Sequence, residues 1–161
     1  MEEKTNDSIL MVGGSLQRIK GSYFLQKEEE VEIRTFFTEG LMFEHVDPNL
    51  FELFPERITD SPEIFVYGYS PIKKITEEEL VDDAIYVKIY NHLTMVHIRQ
   101  ICLRNRLGLN TLSEKGSTLF FIKDKNDHLC VIKIFINKGF NLRVYKYSPK
   151  SIWGPKDIVY F

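Results

Sequence analysis

Three apolar stretches separated by two tight turns dominate the C-terminal half of this chain and leave it few folds to choose from. Thr118-Leu119-Phe120-Phe121-Ile122-Lys123, residues 128–136 and residues 140–147 have strand length and are rich in Ile, Val, Phe and Tyr. Between the first two stands Asp124-Lys125-Asn126-Asp127, residues that bond their own backbone and tolerate tight geometry. Between the second and third stands Asn137-Lys138-Gly139, with glycine available for a positive φ. The spacing predicts an antiparallel meander. In its third strand Phe140, Leu142, Val144 and the stem of Lys146 alternate with Asn141, Arg143, Tyr145 and Tyr147. That period of two sends the first set to a core and lays Arg143 and two tyrosine rings on the other face.

A loop over residues 148–155 carries the only tryptophan, Trp153, and Ile158-Val159-Tyr160-Phe161 reads as a short closing strand, docked because it is apolar. Upstream of the meander, Leu93, Val96, Gln100, Leu103 and Leu107 fall at helical steps, with Gly108 as a C-terminal cap and Asn91 or Thr94 at the start. Thr76-Glu77-Glu78-Glu79 has the form of a capping box and predicts a short helix over 77–83. Ile85, Val87 and Ile89 then alternate as a strand does. In the N-terminal half, Val31, Ile33 and Thr35 leading into Phe36-Phe37 predict a strand that pairs with residues 41–46 across Glu39-Gly40. Asp47-Pro48 and Ser61-Pro62 signal turns, and Ile64-Phe65-Val66-Tyr67-Gly68-Tyr69 a further strand. The expected architecture is a single α+β domain over residues 1–161. It has an antiparallel meander in the C-terminal half, one main helix at about 93–107, and a disordered polar tail at 1–7. With 161 residues, 43% of them apolar, there is ample core material.

Charge is divided along the chain. Residues 1–83 hold nineteen Asp/Glu against eight Lys/Arg, and residues 84–161 hold four against thirteen. No acid occurs from Ala84 to Ser113, where Lys88, Arg99, Arg104 and Arg106 all lie. Such asymmetry speaks of partners and assembly rather than of fold. No run of about 18 apolar residues exists to span a membrane. The acidic start lacks the basic and apolar blocks of a signal peptide. Cys102 and Cys130, both among apolar neighbours, read as core residues of an intracellular, cytoplasmic chain.

Motifs that carry catalysis are missing. His92 and His97 stand five apart rather than four, and His97–Cys102 and His128–Cys130 lack a third member, so neither a metal nor a cofactor is expected. Val12-Gly13-Gly14-Ser15 reads as a turn rather than a phosphate loop. Consecutive glutamates, Glu28-Glu29-Glu30 and Glu77-Glu78-Glu79, point in different directions and read as solvated faces, the second at a helix start that welcomes negative charge. The run Lys138-Gly139-Phe140-Asn141-Leu142-Arg143-Val144-Tyr145 partly matches the RNP1 pattern of RNA-recognition domains, with Leu142 where an aromatic belongs. Nucleic-acid binding through Arg99, Arg104, Arg106 and Arg143 is therefore the alternative reading, opposed by a net charge of −2.

In composition the chain resembles the early proteins of T4-like bacteriophages, being rich in Lys, Ile, Phe, Tyr and Asn without a catalytic signature. In length and mild acidity it is similar to the phage inhibitors of the host's ATP-dependent Lon protease. The resemblance implies a homo-oligomeric, non-enzymatic inhibitor in the host-cell cytoplasm, acting by binding. Read from the residues, the expected contact surface draws on Glu28, Glu29 and Glu30 with the aromatics Tyr67, Tyr69, Tyr145, Tyr147 and Trp153. A homodimer matching acidic patch to basic patch is the expected assembly.

Overall fold

A computed structural model of the chain describes residues 11–12, 15–39 and 42–161. The expected tail at 1–7 and the Gly13-Gly14 turn lie outside the described residues. In chain order the described elements are β1 (Met11–Val12), β2 (Leu16–Leu25), β3 (Glu28–Glu32), α1 (Ile33–Glu39), β4 (Phe43–Val46), α2 (Asn49–Leu53), β5 (Arg57–Ser61) and β6 (Ile64–Pro71). There follow β7 (Ile75–Thr76), α3 (Glu77–Tyr86), α4 (Met95–Arg106), β8 (Ser117–Lys123), β9 (Leu129–Ile136), β10 (Phe140–Lys146), β11 (Ile152–Trp153) and β12 (Ile158–Tyr160). The fold is mixed α+β.

The meander forms as its spacing predicts. β8, β9 and β10 pair antiparallel, Leu119 opposite Lys133 and Arg143 opposite Lys133 across successive ladders. Asp124 Oδ1 accepts from the backbone N–H groups of Asn126 (2.8 Å) and His128 (2.9 Å), which closes the first turn. The second turn uses positive φ at Lys138 (56°) and Gly139 (117°). Around these strands the main sheet is ordered β1-β2-β6-β12-β8-β9-β10-β4. The apolar segment expected to close the fold is instead near its centre. β12 runs parallel to β8 and antiparallel to β6, with Val159 level with both Leu119 and Tyr69.

Alternation across this sheet makes two cores. On one face Val66, Phe120, Ile132, Ile134, Leu142 and Tyr160 pack against Val96, Ile98 and Ile101 of α4, with Phe37 of α1 and Leu50 of α2 joining them. On the other, Tyr69, Leu119, Phe121, Val131, Val159 and Phe161 pack beneath Leu80, Val81 and Ala84 of α3. α4 starts at Thr94, whose hydroxyl accepts from His97 N–H, and it ends at Gly108 with a φ of 84°.

The main helix and the short one expected over 77–83 are joined by α1 and α2 among the described residues. Three expectations about residues 33–90 are corrected. Residues 33–37 are helical, because α1 buries Ile33 and Phe37 together, four residues apart, and leaves Arg34, Thr35 and Thr38 outside. Residues 43–46 do not pair with that segment but run parallel to β10, Phe43 beside Phe140. The stretch 84–90 is no strand: Leu80, Val81 and Ala84 carry the buried helical stripe past Asp83, and the chain then turns at Lys88 with a φ of 60°. Within the expected loop, β11 pairs with β7, Trp153 opposite Ile75.

Candidate protein interface

The start of α3 organises a corner of the second sheet face. Thr76 Oγ1 caps the helix by accepting from Glu79 N–H at 3.2 Å. The next residue, Glu77, is only 2% exposed, and it clamps the segment 148–153. Its Oε2 accepts from Ser148 N–H at 2.7 Å and its Oε1 from Trp153 Nε1–H at 2.9 Å. Its own backbone N–H donates to Ser151 O at 2.8 Å. Burial pushes the Glu77 carboxyl above the usual range, while the Ser148 and Trp153 donors pull it back. Each oxygen therefore holds one fixed part of the neighbouring loop.

Trp153 is thereby set beside β9 and β10 of the meander. Lys133 of β9 extends its ammonium among three rings, 5.0 Å from the centroid of Phe135, 5.6 Å from Trp153 and 6.0 Å from Tyr145. Arg143 stands directly opposite Lys133 in the ladder. Like charges facing each other across a ladder repel. Arg143 accordingly lies over the same Phe135 ring at 5.9 Å, and the aromatic faces carry both cations. A cavity of about 310 Å³ opens between Glu77, Lys133, Tyr145 and Trp153.

Beside this basic and aromatic strip runs an acidic one. Glu78, Glu79 and Asp82 of α3 are exposed, while Leu80, Val81 and Ala84 turn inward. Half-buried Tyr147 joins the two: burial, then the carboxylates of Glu78, Asp82 and Glu77, push its hydroxyl up. One surface thus carries opposite charges side by side, with aromatic rings between them.

Among the expected contact residues, Tyr145, Tyr147 and Trp153 come together here, joined by Arg143 of the alternative reading. Tyr69 does not. It is 5% exposed, level with Val159 beneath α3, and burial pushes its hydroxyl up to about 12. Tyr67 is half-buried further along β6, with the Arg18 guanidinium 4.4 Å above its ring. Glu28 belongs elsewhere, paired with Arg99 at 3.2 Å and accepting from Gln100 Nε2 at 2.8 Å. The side chains of Glu29 and Glu30 lie outside the described residues.

The arginines of the alternative reading do not form one surface. Arg99, Arg104 and Arg106 ride on α4, whereas Arg143 lies on the opposite sheet face. Arg104 is engaged by the chain itself, donating from Nη2 to Phe24 O at 2.7 Å. The RNP1 likeness is not realised either, because Phe140 and Leu142 face the core beneath α4 rather than solvent. Lys133, Phe135 and Glu77 escaped the sequence reading. Alternation in β9 marked the first two, but the run of glutamates disguised the third as a solvated helix start.

His97 is wholly buried and structural. Its Nδ1 accepts from Thr94 N–H at 3.0 Å and its Nε2–H donates to Pro62 O at 2.7 Å, completing a capping box with imidazole in the place of glutamate. Cys102 and Cys130 are buried and free. Among the described residues no group of three or more His, Cys, Asp or Glu is placed to hold a metal ion. No helix among them is long and apolar enough to cross a membrane. No protein-family model, curated protein or solved structure matches the chain.

Proposed function

We propose that this protein acts by binding another protein, with no catalysis of its own. The observation that carries the reading is the ordered cluster of Lys133, Phe135, Arg143, Tyr145 and Trp153, held from below by Glu77. Aromatic and arginine side chains fixed before contact are what protein interfaces concentrate in their energetic centres, since little entropy is left to lose on docking. The target class we infer is an ATP-dependent protease of the Lon kind, as the resemblance of the sequence implies.

One feature of the fold supports that target. A protein held by an unfolding machine survives if the segments it presents resist extraction. Residues 158–160 are paired on both sides near the middle of the sheet, and Tyr160 and Phe161 are buried. Drawing on this segment means parting β6 from β12 and β12 from β8 together, which is a global rather than a local opening.

The test is degradation of casein by purified bacterial Lon with ATP. The expected result is inhibition at stoichiometric amounts of the protein, with the protein itself left intact, and a weaker effect for Tyr145→Ala. Undiminished casein degradation removes the protease as target. Affinity capture from a bacterial lysate, with mass spectrometry of what stays bound, then tests the broader reading: retention of nucleic acid alone, or of nothing, overturns protein binding.

A further inference from the structure

At the C-terminal end of α4 apolar side chains stand in water, and the backbone holds them in order. In the helical stripe Leu93, Val96, Gln100, Leu103 and Leu107 the first three are buried, but the core then follows Ile98, Ile101 and Cys102 and the last two emerge. Leu103 is half-buried and Leu107 is 79% exposed; spaced by four, they lie on one side of the helix. Past Gly108 the chain turns back, and Leu109 N–H donates to Arg104 O at 3.1 Å. That bond keeps a third leucine, 53% exposed, against the helix end. All three line a cavity of about 460 Å³ together with Gln26, Arg99 and Arg104. Gln100 fixes the cavity to α4 by exchanging two hydrogen bonds with the backbone of Gln26, each of 3.0 Å, so the groove is formed before any partner arrives.

Charge narrows what the groove takes. No acid occurs on α4 or after it up to Ser113. Among the described residues lining the cavity Glu28 is the one acid, and it is paired with Arg99 at 3.2 Å. Arg104 donates from Nη1 to Gln100 O at 3.2 Å and from Nη2 to Phe24 O at 2.7 Å. These neutral acceptors orient the guanidinium and leave its charge uncancelled, so two cations face one acid. A nucleic-acid backbone answers the arginines but not the leucines, and a small molecule filling the cavity leaves Leu107 in water. We propose that the groove docks an acidic amphipathic helix of a partner protein, its apolar side chains laid on Leu103, Leu107 and Leu109 and a carboxylate set toward Arg104. The groove lies on the α4 side of the main sheet, away from Lys133 and Trp153, so this partner and the one proposed above bind without competing.

The test is fluorescence anisotropy of a labelled helical peptide, with leucines at helical spacing and glutamates beside them, titrated with the full chain at low and high salt. Saturable binding that weakens with salt is expected. A counterpart with lysine in place of each glutamate is expected to bind about tenfold more weakly or worse. Leu107→Glu, at a position too exposed to trouble the fold, is expected to weaken binding of the acidic peptide by about tenfold or more. Arg104→Met keeps the stem, removes the charge and narrows the preference for glutamate over lysine. Tyr145→Ala leaves peptide binding unchanged, since that ring is on the other side of the sheet. Absence of binding, equal binding of the two peptides, or indifference to Leu107→Glu overturns the proposal and leaves the outcome of the casein assay untouched. Two further results overturn it when no peptide binds: self-association in sedimentation equilibrium that Leu107→Glu abolishes, which gives the groove to a second copy, and single-stranded DNA binding that Arg104→Met abolishes.

Discussion

The two faces of the main sheet are made by the same strands and obey the same alternation, yet one is closed and the other partly open. Beneath α4, the side chains of Phe120, Ile132, Ile134 and Leu142 are at most 1% exposed, because α1, α2 and α4 all contribute to that core. The opposite face has α3 and the clamped segment 148–153 for cover. α3 shields Leu119, Phe121 and Val159, while Lys133, Phe135, Arg143 and Tyr145 lie on the remaining part of the face. The contrast shows that a strand pattern allots side chains to faces, but the helices decide which face becomes core.

Truncating one large side chain on each face tests the contrast most strongly. Phe120→Ala removes a ring stacked on Tyr160 at 5.2 Å and is expected to cost about 3–5 kcal/mol of stability in urea denaturation. A loss below about 1 kcal/mol would mean that the face under α4 is not the packed one.

The starts of α4 and α3 lie on opposite faces and each carries one buried titratable group, His97 and Glu77. His97→Ala leaves Thr94 N–H and Pro62 O without their buried partner and is expected to cost about 3 kcal/mol. Burial holds the His97 imidazole below its ordinary value of 6.5. The folded state therefore binds this proton less readily than the unfolded chain does. The contribution is complete above the ordinary value and is lost as pH falls through the lowered one. Denaturation midpoints measured across this window in the wild type and in His97→Ala check the slope.

Glu77 slopes the other way. Its carboxyl is pushed up by burial, so the contribution from its proton is complete below the ordinary 4.5 and is lost as pH rises through the raised value. Glu77→Gln abolishes that slope and sets an amide NH₂ against one of the two donors, at a cost of about 1–3 kcal/mol. As the only tryptophan, Trp153 reports the change directly: its fluorescence is expected to become more accessible to acrylamide. An unchanged quenching constant would show that the clamp does not hold the loop. Last and smallest, Tyr145→Ala is expected to shift stability by no more than about 0.5 kcal/mol, because the ring is substantially exposed. A large loss there would mark the open face as structural rather than as a contact surface.

Much of the C-terminal fold was legible in residues 118–147, where alternation and turn chemistry agree, and α4 was legible from its 3–4 residue spacing and Gly108. The N-terminal half was harder to read: several of its segments have only four to seven residues, and the ten-residue β2 mixes polar and apolar residues without a clear alternation. Ile33 and Phe37 share a side both in a strand and in a helix, so only packing against the rest of the core distinguished them. The pattern Ile85, Val87, Ile89 suggested a strand, but burial of Ala84 prolonged α3. At the candidate interface the aromatics of β10 and Trp153 could be named from sequence, whereas Tyr69 looked no different from Tyr67 until a helix covered one of them.

Residues close in sequence sufficed for the meander, the main helix and its C-terminal cap, the two-sided alternation of β10 and the division of charge along the chain; the choice of Thr94 over Asn91 as the N-terminal cap came from the fold. Only the tertiary structure decided that residues 158–160 enter near the middle of the sheet, that Glu28 meets Arg99, and that Glu77 meets Trp153 across 76 positions. The same is true of the surface on which acidic α3 lies beside basic β9–β10. Such pairings depend on which helix covers which face, and that choice is made by the burial of the whole apolar set at once.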